Sequence, residues 1–214
     1  MFLPSPRGLR DPDRVTERLN MLDAEATVQP LREWSQEVVH RRARRQPDIL
    51  IPHFDPAESG VDTQVLVLME APGPMTVVDE QNKRPGSGFI SIDNSDGTAE
   101  NCWRLRDEVG LVTGALHWNI VPWYLGPASR KPSAQELGQG ALELRSLLPL
   151  LPQLRVVLTC GLHAQNGWRQ HVAPFVKTDI TVVDTWHPSP LAMKQPGKRD
   201  ALKRAFERAA SFTG

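Results

Sequence analysis

The sequence predicts an α/β fold in three layers, α/β/α, around a central four-stranded, mainly parallel sheet. Three observations carry this. Four short runs rich in Val, Leu and Ile alternate with helix-length segments. The first of them, "TQVLVLM", is apolar on both faces, as a strand is in the middle of a parallel sheet. The 19 prolines gather at strand ends and in loops, where they stiffen connections without breaking the sheet. With 214 residues, 40% of them hydrophobic, the chain holds enough apolar material for one sizeable core.

The elements follow in order. "MFLPSPRGLRDPDR" is rich in proline and charge and is expected to wrap loosely on the body; residues 1–24 read as an N-terminal extension, with the α/β domain spanning 25–214. "AEATVQPLREWSQEVVHRRARR" sets Leu31, Trp34 and Val38 on one helical face, the pattern of an amphipathic surface helix. "QPDILIPHFDPAESG" has too much proline for a long regular element. "TQVLVLMEAPGP" is the first strand, ending in a turn. After a polar, glycine-rich span, "TAENCWRLRDEVGL" is a helix stopped by Gly110. "GALHWNIVPW" is the second strand and runs into "YLGPASRKPS". A long helix "AQELGQGALELRSLLPLLP", a third strand "LRVVLTCG" and a short helix "HAQNGWRQHVAPFV" come next. "DITVVDTWHPSP" is the fourth strand, and "KRDALKRAFERAA" closes the chain as a helix. No internal repeat is present.

Composition narrows the chemistry. The 25 Lys and Arg balance 25 Asp and Glu, so no overall field announces a nucleic-acid partner and any basic surface is local. Two such clusters exist, "HRRARR" and "KQPGKRDALKR". Two cysteines, Cys102 and Cys160, supply neither a disulfide scaffold nor a four-thiolate cluster, and read as buried free thiols. His40, His53, His117, His163, His171 and His187 show no metal-ligand spacing, so no metal and no cofactor is expected. "MFLPSP" is too short and proline-broken for a signal peptide, and no apolar run approaches a membrane span. The expectation is a soluble, cytoplasmic monomer without a membrane partner.

Ligands of open α/β sheets bind outside the carboxyl ends of the strands. There the first, second and fourth runs bring Glu70, Asn119 and His187. Each alone has a bland reading: a solvent-facing carboxylate, a turn-forming amide, a structural histidine before proline. Together they offer a carboxylate to hold water, an amide to read a planar polar ligand and an imidazole to meet a developing anion. "APGP" (Ala71, Pro72 and Gly73 foremost) adds a turn whose backbone N–H groups suit a carbonyl or phosphate oxygen. It lacks the length and the lysine of a phosphate loop. Phe89, in "KRPGSGFISIDNSD", either fills the core or lies face-on to a flat ring.

Taken in this order, the segments resemble the uracil-DNA glycosylase superfamily. "MEAPG" (Met69 to Gly73) is similar to the first motif of one branch, Gly-Glu-Ala-Pro-Gly, and "HPSPL" (His187 to Leu191) to the last motif, His-Pro-Ser followed by an apolar residue. The resemblance implies a base flipped out of DNA into a pocket. Phe89 would stack on it, and Asn119 would read its polar edge. His187 would stabilise the leaving base, and Glu70 would orient the attacking water. Ser189 would touch the DNA backbone, Leu191 would fill the vacated stack, and Lys194, Lys198 and Arg199 would lie near phosphates. Asp93 and Asp96 are alternative catalytic carboxylates. The implied partner is DNA containing uracil or another deaminated base, and the implied product an abasic site. Two departures stand out: Met69 replaces glycine, and the branch's four cluster-binding cysteines are missing, so the resemblance implies a cluster-free relative with a broader range of bases. A non-catalytic DNA-binding module of this fold and a small-molecule nucleoside hydrolase are the competing readings.

Overall fold

A computed structural model describes residues 1–79, 81–82, 84–128, 130–176 and 179–213. Helices α1 (Pro12–Ala24) and α2 (Gln29–Ala43) lead into the short strand β1 (His53–Phe54). Then come β2 (Val65–Met69), β3 (Phe89–Ile90), α3 (Gly97–Glu108), β4 (Ala115–Asn119), α4 (Ala134–Leu147) and β5 (Val156–Cys160). The chain closes with α5 (Leu162–Gly167), β6 (Thr181–Thr185), α6 (Pro190–Met193) and α7 (Lys198–Ala210). Strands β2, β4, β5 and β6 are the four apolar runs, and they pair in the order β4-β2-β5-β6, all parallel. From β2 the chain crosses to β4 on one side and then to β5 on the other. Strand order therefore reverses at β2, which opens a crevice at its carboxyl end.

Both faces of the sheet are covered. Leu66, Leu68, Leu116, Trp118 and Val157 pack with Leu31, Trp34 and Val38 of α2 and with Ala141, Leu144 and Leu147 of α4. The Phe54 ring stacks on Trp118 with centroids 3.6 Å apart, and Trp34 meets both edge-on. On the opposite face Val65, Val67, Leu158 and Val183 pack with Leu105 of α3 and with Leu202, Ala205, Phe206 and Ala209 of α7. Each fully buried Val, Leu or Phe side chain among these contributes about 1.5–3 kcal/mol.

Two segments differ from the sequence reading. The N-terminal extension holds α1, which the sequence reading did not name, capped by Asp11, whose side chain accepts from the Asp13 N–H. Arg18 of α1 is only 4% exposed and pairs with Asp55 and with Asp93, the latter at 2.9 Å. The Phe2 ring meets Trp103 edge-on, and Trp103 Nε1 donates to the Leu3 carbonyl at 2.9 Å. These partners lie 37 to 101 residues away, so no local pattern announces them. Within the proline-rich spans, β1 and β3 form a two-residue parallel pair, too short to show a period of two.

Candidate active site

The site grows from the register of the sheet. Met69 and Asn119 are partners at the carboxyl ends of β2 and β4. The Ile120 N–H donates to the Met69 carbonyl at 2.8 Å, and the Val121 N–H to the Glu70 carbonyl at 3.1 Å, so the two strand ends run on together. Glu70 follows β2 directly and His187 comes two residues after β6. The loop bearing His187 is held from two sides. Asn101 of α3 donates to the Pro188 carbonyl at 2.8 Å. Gly161, just past β5, sits at φ 89° and ψ 162°, a region essentially restricted to glycine. A Cβ there would stand 3.0 Å from the Cβ of His187.

A cavity of about 300 Å³ opens at this edge, and Glu70, Ala71, Pro72, Gly73, Asn119 and His187 all line it. The strand-end rule thus brings together the three polar residues it singled out. Asn119 is 2% exposed, and no hydrogen bond from another described residue occupies its side-chain amide. One donor and one acceptor are therefore free for a ligand. Burial holds the His187 imidazole below its ordinary value; nearby Glu70 opposes this and Lys131 adds to it. The ring is accordingly neutral at pH 7 and still carries one N–H. The Glu70 carboxylate receives Lys131 Nζ at 3.0 and 3.1 Å, with His163 Nε2 at 3.8 Å.

Other candidate residues fall elsewhere. Phe89 is 0% exposed in the core cluster and is not on the cavity wall. Successive side chains of a strand point to opposite faces, and it is the next residue, Ile90, that lines the cavity. Phe89 therefore packs in the core cluster of this structure, away from the cavity wall. Asp93 is likewise off the wall, its carboxylate taken by Arg18 and by the Leu3 N–H at 3.1 Å. Burial raises its pKa, as does Asp55, while Arg18 opposes. Asp96 does line the cavity, but its Oδ1 caps α3 by accepting from the N–H groups of Thr98 (2.8 Å) and Ala99 (3.0 Å). Burial pushes its carboxyl up against those two bonds.

In the segment after His187, Ser189 caps α6 by accepting from the Ala192 N–H at 3.3 Å, and Leu191 is 73% exposed. Lys194 is exposed and has no ion pair among the described residues. Lys198 Nζ lies 3.7 Å from the Trp186 ring centroid, and Arg199 is paired with Glu108. Three residues escaped the sequence reading: Lys131 and His163, both beside the Glu70 carboxylate, and His117, which lines the cavity with Lys131. The first two follow β4 and β5, so the strand-end rule applied to every connection would have found them.

Two cysteines do not fit a four-thiolate cluster, and both are buried, with their thiols pushed above the ordinary range by desolvation. Among the described residues no three His, Cys, Asp or Glu are grouped to hold a metal ion, and no helix is long and apolar enough to cross a membrane. A family model described as the uracil DNA glycosylase superfamily matches residues 60–210. No curated protein matches the chain.

Proposed function

Because the chain belongs to the uracil DNA glycosylase superfamily, we propose that it hydrolyses the N-glycosidic bond of uracil, and of other deaminated bases, flipped out of DNA. One observation carries the reading: Glu70, Asn119 and His187 line one cavity at the carboxyl edge of the sheet. The Asn119 amide, with one donor and one acceptor, matches the carbonyl and N–H of an imide edge. Ile90 supplies apolar surface against the ring. As the bond to C1′ breaks, its electrons leave with the base, and the neutral His187 N–H donates to the oxygen on which charge gathers. The Glu70 carboxylate favours the positive charge on the sugar and orients the water, whose oxygen bonds to C1′ as one of its protons passes to that carboxylate. Lys131 holds that carboxylate in place. Leu191, exposed beside the site, is suited to fill the gap left in the stack.

Release from uracil-containing single-stranded DNA, duplex DNA and free deoxyuridine tests this. Base is expected from DNA and not from the nucleoside. Release from deoxyuridine alone would make the protein a nucleoside hydrolase, and DNA binding without release a non-catalytic module.

A further inference from the structure

The basic cluster "HRRARR" at the end of α2 has no part in base release as described. Its surroundings fix where it lies. Arg41 and Arg42 both face Glu143 of α4, at 2.6 and 3.5 Å, and Arg42 donates to Gln139 at 2.8 Å. Trp34, earlier on α2, donates to Ser146, later on α4, at 2.8 Å, so the two helices run antiparallel. Since α4 follows the carboxyl end of β4, its first turns lie at the edge of the sheet that carries the cavity. The end of α2 lies there too. The Arg42 guanidinium sits 3.8 Å from the ring centroid of Trp123, in the connection after β4.

Arg42, Arg45 and Arg130 line one surface groove with Trp123, Ser133 and Glu136. Arg130 also lines the cavity that holds Glu70, Asn119 and His187, so groove and cavity share a wall. Basic residues at a helix end ordinarily do no more than offset its dipole. That suffices for Arg41 and Arg42, which lie in the last turn and already face Glu143. Arg44 closes the helix and Arg45 lies beyond it. Both are exposed, and neither has an ion pair among the described residues. The connection they open, 44–52, contains one carboxylate, Asp48. Arg130 is bound by Glu136 at 2.6 and 2.8 Å, but exposed ion pairs are weak enough to exchange for a phosphate. The order β4-β2-β5-β6 puts this groove beside one edge strand, while Ser189, Leu191 and Lys194 follow the other. A DNA strand whose nucleotide enters the cavity continues on both sides of it, so a strand passing α6 on one side runs toward the groove on the other.

We propose that this groove is a second phosphate-binding track, in which Arg44 and Arg45, with Arg130 at the inner end, take backbone phosphates of the uracil-bearing strand on the side of the flipped nucleotide away from α6. The inference rests on the glycosylase reading and adds to it the course of the DNA. A guanidinium offers a planar fork of donors that matches two phosphate oxygens. Such contacts set position and read no sequence, as suits a protein that must meet uracil in any context.

The test is binding, by fluorescence anisotropy, to DNA whose one uracil nucleotide is 2′-fluoro-2′-deoxyuridine, which resists release. The probe is single-stranded or duplex, whichever the wild-type protein binds more tightly. The double variant Arg44→Ala, Arg45→Ala removes two exposed charges without an ion pair. Each lost phosphate contact lowers the slope of log K against log salt by about 0.7–0.9, so binding at about 0.1 M salt should weaken roughly ten- to fiftyfold. Two further probes end the uracil-bearing strand at the modified nucleotide, on its 5′ or on its 3′ side. The deficit of the variant should vanish with one of them and persist with the other. A deficit that persists with both, or vanishes with both, would reflect general loss of charge and overturn the proposal. Equal binding by variant and wild type, in a protein that releases uracil, would overturn it and leave the glycosylase reading standing. Failure of the wild-type protein to bind uracil-containing DNA in either form would end both together.

Discussion

His187 combines a rigid approach with a soft environment: a strand delivers it, Pro188 restricts the backbone beyond it, and burial keeps its ring neutral. His187→Ala should retain the fold, because little apolar volume is lost, and should cut base release by about 10²–10³ with DNA binding nearly intact. Single-turnover excision set against a DNA titration reads both. The carboxylates separate by role. Glu70→Gln should lose most activity in a protein of normal melting temperature. Asp93→Asn should lower the melting temperature, since it weakens the pairing of a buried arginine, and leave the rate of the folded protein alone. A large rate loss in Asp93→Asn at unchanged stability would reverse that assignment. Among the cations after His187, Lys198→Ala should weaken binding to uracil-containing and normal DNA by similar factors and flatten the salt dependence. Arg199→Ala should do less, because Glu108 already offsets its charge.

Parity and closeness act at the scale of elements. On β3 a shift of one residue separates the core from the cavity, so the aromatic residue at Phe89 faces inward and Ile90 faces the ligand. The connection from β5 to α5 works through closeness, because Gly161 lets the His187 backbone pass where a side chain would not fit. Gly161→Ala should therefore cost about 1–3 kcal/mol from backbone strain and also displace the His187 loop. Chemical denaturation measures the first effect. Base release should fall further than the stability loss alone explains, and a destabilised variant with normal single-turnover rates would show that the close approach is only packing.

Across the whole molecule, buried charge is arranged as a framework of two clusters, Arg18 with Asp55 and Asp93, and Arg106 with Glu58 and His117. The second sets an acid limit. Glu58 is held at about 2 in the folded protein against an ordinary value of 4.5, so the folded state binds its proton less readily than the unfolded chain does. The resulting stabilisation, about 3 kcal/mol, is fully present above pH 4.5 and is lost as pH falls toward 2. Urea unfolding from pH 6 to pH 2 should show this loss, and Glu58→Gln should flatten that acid dependence while being less stable at pH 7, because Arg106 is left unpaired. The strands and their helices were legible in the sequence because a parallel sheet covered on both faces demands long apolar runs, and those runs name themselves. Glu70, Asn119 and His187 were legible for a related reason: strand ends are countable along the chain, and parallel strands bring like ends together. The tertiary structure alone decided the direction of Phe89, the capture of Asp93 by Arg18, the link from Lys131 to Glu70 and the pairing of His117 with Glu58. Each depends on a partner from elsewhere in the chain or on which face of a two-residue strand looks inward, and neither leaves a periodic trace in the sequence.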